Sequence, residues 1–478
     1  MLDSLVSLDP KGGVHPWLAT SWQVSPDGKS YTFELRKDVT FSDGTPFDAA
    51  AVKANLDHVV DPKTKSELAA GLITPYKGTE VIGPHTVRVD LSRPHSPLLS
   101  ALSTPYLGIQ SPASLKLGAD ALARKVVGSG PFVIDAFTPR QGITYHRNPK
   151  YAWPPRGTAH TGPAYLDKLE FKVLREDSVR VGALTSGQVD AIGSVPPVNV
   201  SQVKADSRLW LETRQAPGGN YNYYPNTAKG VFSDVRVRQA FRAAIDLKTI
   251  IGKLYFGVFQ PAASPIAPST FGYDPGTEQL GGYDPQAAAK LLDEAGWTAR
   301  DAQGYRTKNG ERLTVRWMFV KMIAREQRAV LSEQVQAEAR KAGIDVQFLD
   351  VTPSNYAPIA LRGDYDLSDY SWQRVDADAL RDLFASANIP NDQGGSGANA
   401  SRYSNKDVDA WLDQTLDTVD PAKRAELYAK VQRKVVEDAA VFPVYTFNYV
   451  LGAAKRVHGV TWEAQAYPSF YDAWVAAR

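Results

Sequence analysis

The sequence predicts two α/β lobes, and three observations point there. Between 166 and 197 a strand, a helix and a short strand follow one another, the alternation that builds an α/β layer. Between 313 and 351 the order is strand, long helix, strand, which implies a right-handed crossover in a second α/β lobe. Between these regions, at 218–251, a strand of aromatics and amides runs into a capped amphipathic helix, the pattern of a chain that leaves one lobe to found another.

Taken in order, Pro26-Asp27-Gly28-Lys29 turns between two alternating runs, a hairpin in which Tyr31, Phe33 and Leu35 share one face. Asp48 starts a helix with Val52, Asn55 and Leu56 along it, and residues 80–93 form a second hairpin turning at Gly83-Pro84. In the strand after Gly218 and Gly219, Tyr221 and Tyr223 face one side and Asn220, Asn222 and Tyr224 the other. Pro225 stops it. Ser233 is the expected N-cap of the next helix, with Asp234 in its first turn and Val237, Phe241, Ala244 and Ile245 on the buried stripe. Asp246 caps a further helix. Asp284 and Pro285 supply an N-cap and an N1 proline before a helix that Gly296 ends. Residues 313–320 read as a strand, 325–343 as a helix and 344–351 as a strand, and the glycine-rich 391–400 as a loop.

The chain has 478 residues, 43% hydrophobic and 22% charged, with a net charge of +2, an ordinary globular composition that argues against a nucleic-acid partner. There is no cysteine, which excludes disulfides, thiolate metal sites and a cysteine nucleophile. The seven histidines are scattered without metal-binding spacing, so no metal and no cofactor is expected. No apolar run is long enough to span a membrane. Gly128-Ser129-Gly130 lacks the third glycine and the Lys-Ser/Thr of a phosphate loop and reads as a turn. Ser396 lacks the trailing glycine of a nucleophile elbow. No catalytic constellation emerges, and the protein is expected not to be an enzyme.

Several blocks resemble one family. HPWLATSW at 15–22, SPDGKSYTFELRKDVTFSDGTPFDAAAVKANLD at 25–57, the 125–153 run ending in RNPKYAW, and FSDVRVRQAFRAAID at 232–246 followed by QPAASPIAP are similar to the extracytoplasmic solute-binding proteins of ABC importers, family 5. The AKRVHGVTWEA run at 454–464 resembles that family's return strand. The resemblance implies an α/β, two-lobed periplasmic-binding-protein fold of the large, cluster C type, with a ligand cleft between lobes that close on the solute. Lobe I would take 1–227, with an extra β-rich subdomain at 25–150. Lobe II would take 228–455, and 456–478 would return to lobe I. Family members carry a signal peptide and often a lipid-attached cysteine, so the start at Met1 looks truncated. The expected protein is an extracytoplasmic monomer, in the periplasm or on the outer face of the membrane. Its partners would be a small-molecule solute and ABC permease subunits, with membrane attachment only through a lipid anchor that this chain lacks.

The ligand-binding candidates are Trp372, Arg374 and Asp376 in YSWQRVDADALRDLF (370–384), with Asn220, Asn222 and Tyr224. In peptide-binding relatives the first region places an aspartate three residues after the tryptophan, where it pairs with the peptide ammonium. Aligned on Trp372, that position holds Val375, which cannot neutralise a buried ammonium; a register shift of one would let Asp376 serve. Arg374, if it faces the cleft, favours a carboxylate or phosphate; otherwise it is a solvated loop arginine. The implied function is capture of a peptide-like, oligosaccharide or opine-like solute and its delivery to a permease. The rival readings are a hydrolase, or a signalling or chaperone-like protein, on the same scaffold.

Overall fold

A computed structural model describes residues 1–9, 12–66, 68–122, 124–391 and 397–477, so Ser396 lies outside the described residues. The chain forms two compact units. The first comprises Met1–Val195, Gln202–Glu212 and Val450–Arg478; the second comprises Pro196–Ser201 and Thr213–Tyr449.

Unit 1 is built on antiparallel sheets. Strands Ala19–Val24, Ser30–Leu35, Thr86–Leu91 and Tyr76–Gly83 lie side by side in that order, and Tyr31, Phe33 and Leu35 all point into the core, as their alternation requires. Helix Ala49–Val60 starts where expected: the Asp48 carboxylate accepts the Ala51 amide at 2.8 Å, and Val52, Asn55 and Leu56 are buried. Phe132–Thr138, Gly142–Arg147 and Lys168–Lys172 make a separate three-stranded sheet. Residues 128–130 form a turn-like segment, with the Ser129 hydroxyl donating to Asp3 at 2.8 Å.

Unit 2 is organised by one six-stranded sheet in the order Gln260–Pro261, Phe442–Thr446, Tyr221–Pro225, Leu367–Tyr370, Thr314–Met318, Asp345–Phe348. Thr314–Met318 runs parallel to both of its neighbours, and helix Arg328–Lys341 makes the crossover from it to Asp345–Phe348. The chain was expected to change lobes at about residue 227 and to return at about 456. The Tyr221–Pro225 strand instead belongs wholly to unit 2, because strands of that unit flank it on both edges, and the return begins at Val450.

Local chemistry accounts for most helix starts. Asp246 caps Leu247–Tyr255 through the Thr249 amide, and Asp284 caps Pro285–Glu294 through two amides. Two boundaries differ from expectation. The N-cap of Val235–Ala244 is Asp234, not Ser233, because the Asp234 carboxylate accepts the Arg236 amide at 2.9 Å while Ser233 closes a preceding 3₁₀ turn. The helix expected from 325 begins at Arg328, because Glu326 and Gln327 both take left-handed backbone, with φ of 52° and 56°.

Candidate functional site

The sheet of unit 2 fixes where a site can form. The connection that leaves Thr314–Met318 crosses to Asp345–Phe348 on one side, whereas the chain leaving Leu367–Tyr370 goes on to helices and then to Phe442–Thr446 on the other. In open α/β sheets, ligands gather outside the carboxyl ends of adjacent parallel strands whose connections diverge in this way. Here those ends carry two loops, 319–327 and 371–378. The loops meet where Arg328 Nη2 donates to Ser371 Oγ at 3.2 Å.

The 372–374 segment is pinned from beneath by Gly218 and Gly219. The Gly219 amide donates to the Trp372 carbonyl at 2.6 Å, and the Trp372 amide donates back at 3.3 Å. Only glycine allows this approach. A Cβ at Gly218, whose φ is +97°, would sit 2.0 Å from the Arg374 amide nitrogen, and one at Gly219 would sit 2.9 Å from the Trp372 carbonyl oxygen. Above this support Trp372 is half-buried, with its indole N–H donating to Asp382 at 3.0 Å. The Arg374 guanidinium lies 4.7 Å over the indole ring and 3.4 Å from the same carboxylate.

Asp376 lies four residues beyond Trp372 but is differently employed. It is 7% exposed; Arg424 and Tyr428 donate to its two carboxylate oxygens, and the Asp378 amide donates at 2.9 Å. Its carboxylate therefore anchors the 376–384 turn and helix to helix Pro421–Glu437. Asn220 and Asn222 are buried and donate their amide N–H groups to the carbonyls of Ser264 and Pro265, at 2.8 and 2.9 Å. Tyr224 is fully buried and stacks on Tyr370 with ring centroids 4.3 Å apart. These three side chains tie the strand to the 264–266 segment and the interior of unit 2, while Trp372 and Arg374 stand at its loop end.

Sequence reasoning passed over the other half of this site. Arg328 is 9% exposed, with its guanidinium 4.1 Å over the Tyr221 ring, Nε donating to the Tyr445 hydroxyl at 2.9 Å and Nη2 2.6 Å from Glu326. Asp369, beneath it, accepts from Tyr221 at 2.5 Å and from Trp317 at 2.8 Å. Burial pushes the Asp369 carboxyl above its ordinary range, and the two hydrogen bonds and the Arg328 charge pull it back only in part. In the sequence Arg328 is one of several arginines in a helical run, with no local signal to set it apart. Among the described residues no group of three or more His, Asp or Glu side chains is placed to hold a metal ion.

The profile of the bacterial extracellular solute-binding proteins, family 5 Middle, matches residues 13–391. The chain belongs to that family. Among its relatives are the haem-binding protein A of Haemophilus influenzae, 27% identical over 96% of this chain and 83% of that protein, and the glutathione-binding protein GsiB of Escherichia coli K12, 28% identical over 95% and 85%. The structure of NikA from Brucella suis in complex with Fe(III)-EDTA superposes with a TM-score of 0.85 at 28% identity, covering 99% of this chain and 94% of that one. The fold is thus the two-lobed, mixed α/β fold of family 5 binding proteins, and this solute-binding protein is a component of an ABC importer. Its relatives are binding proteins, not enzymes, and nothing supports a hydrolase or chaperone reading.

Proposed function

We propose that the protein captures, outside the cytoplasmic membrane, a solute whose recognised group is anionic, and passes it as a monomer to the permease subunits of its importer. One observation carries the choice of solute. Around the Trp372 segment every carboxylate among the described residues already has protein partners: Asp376 has Arg424 and Tyr428, Asp378 has Arg381 and Tyr428, Asp382 has Trp372 and Arg374, Asp369 has Tyr221 and Trp317, and Glu326 has Arg328 and Tyr445. All of these but Asp369 already face an arginine, so an incoming ammonium would compete with those guanidinium groups for its counter-ion, and leaving a buried charge without one costs about 3–5 kcal/mol. Val375, where peptide-binding relatives place their aspartate, supports the same reading. Trp372 offers the solute a ring, and Arg374 and Arg328 offer guanidinium groups. The haem, glutathione and Fe(III)-EDTA of the relatives all carry carboxylates, which is compatible with such a site. No helix among the described residues is long and apolar enough to cross a membrane.

The test has two arms. Native mass spectrometry of the purified protein identifies any co-purified solute. A thermal-shift panel then compares haem, glutathione and Fe(III)-EDTA with short peptides bearing free or acetylated N-termini. Stabilisation by carboxylate-rich compounds and not by peptides is expected. Clear stabilisation by short peptides that is lost on N-acetylation would overturn the reading.

A further inference from the structure

We propose that Arg328 and Ser371 form a subsite for a carboxylate group of the solute. The proposal rests on the solute-binding reading above and names the chemistry of one part of that site. The geometry leaves two donors side by side. Arg328 spends Nε on Tyr445 and Nη2 on Ser371 and Glu326, whereas Nη1 has no partner among the described residues and is not sealed from solvent. Ser371 Oγ accepts from Arg328 Nη2 at 3.2 Å, and its own hydrogen has no acceptor among the described residues. An N–H and an O–H thus converge where the loops from the carboxyl ends of Thr314–Met318 and Leu367–Tyr370 meet, the position at which this type of sheet collects ligands.

The arginine is preorganised for the task. Its guanidinium is clamped over Tyr221 and held from a second direction by Tyr445, so little side-chain freedom remains to be lost on binding. Glu326 does not cancel it, because that carboxylate is shared with Arg325, at 3.0 Å, and with the Tyr445 hydroxyl, at 2.9 Å. Asp369 is satisfied by neutral donors. A planar guanidinium beside a hydroxyl suits the two charged oxygens of a carboxylate better than the single neutral carbonyl oxygen of an amide or ester in its place.

The experiment titrates the full chain with succinate, against sodium chloride at matched ionic strength, by thermal shift and calorimetry. Saturable stabilisation of the wild type is expected, with Ser371→Ala and Arg328→Lys each weakening succinate at least tenfold. Ser371→Ala guards against misreading a folding defect, since Ser371 is half-buried and the Arg328 contacts to Tyr221, Tyr445 and Glu326 do not depend on it. No saturable response in the wild type, an unchanged affinity in both variants, or a response to inorganic phosphate that exceeds the one to succinate would overturn the proposal. Failure of the function reading looks different. A co-purified anionic solute retained equally by wild type and Ser371→Ala removes the subsite and leaves the anionic-solute reading standing, whereas a protein that responds to succinate but takes short peptides only with free N-termini keeps the subsite and removes that reading.

Discussion

Asp376 invites a decisive perturbation, because its sequence position suggests a ligand contact and its surroundings make it a structural anchor. Arg424 donates to it across 48 residues of chain; the two side chains are only 11% and 10% exposed, and Arg424 is further packed 4.8 Å over the Phe271 ring. Removing one member of such a pair strands the other, at a cost of about 3–5 kcal/mol. Asp376→Asn and Arg424→Met should each destabilise unit 2 by roughly that much, which for a unit of this size lowers its melting temperature by roughly 6–20 °C. Once both charges are gone no stranded ion remains. The double variant should therefore lose far less than the sum of the singles, with a coupling energy of about 2 kcal/mol or more. Urea denaturation and calorimetry on the four proteins close the cycle, and ligand titration of the same samples supplies the second readout. Additive effects, or an Asp376→Asn protein that is fully stable yet deaf to its solute, would refute the anchoring role and return Asp376 to the ligand.

Three further outcomes are expected. Trp372→Ala should leave the protein folded and weaken solute binding on the order of 100-fold, since a stacking tryptophan at a site centre contributes a few kcal/mol; unchanged affinity in isothermal titration would remove it from the site. Gly218→Ala should cost more than the about 1 kcal/mol of an ordinary glycine replacement, because the new Cβ meets the Arg374 backbone as well as an unfavourable φ, and tryptophan fluorescence should report displacement of Trp372. Hydrogen bonds from Arg433 chiefly, and from the Gly276 amide, hold the Asp274 carboxyl below its ordinary range. A lowered folded-state pKa contributes stability that is complete above the unfolded value of about 3.9 and is lost as the pH falls through the folded value. The stability gap between wild type and Asp274→Asn should thus be flat near neutral pH and close below about pH 4; a gap that widens on acidification would contradict the assignment.

Much of this protein was determined by sequence alone, wherever the deciding interaction spans a few residues. Asp48, Asp246 and Asp284 announce their helices because a cap is a hydrogen bond to an amide two or three positions away. The hairpin at Pro26–Lys29 and the 313–351 crossover follow from turn chemistry and periodicity, and the blocks of family resemblance carry the rest. Even so, Ser233 and Asp234 compete for one cap, and only the geometry of the chain chose Asp234.

The site was another matter. Trp372 and Arg374 stand out in the sequence, but what each touches was decided by the path of the chain. Asp376 meets an arginine 48 residues on, Arg328 meets a serine 43 residues on, and Asn220 and Asn222 meet carbonyls 43 or 44 residues away. Such pairs leave no local signature, since a buried charge and its distant partner look in sequence like any two polar residues. Whether a carboxylate serves as anchor or ligand contact depends on the neighbour that removes it from water, and that neighbour is supplied only when the strands of unit 2 take their order in the sheet.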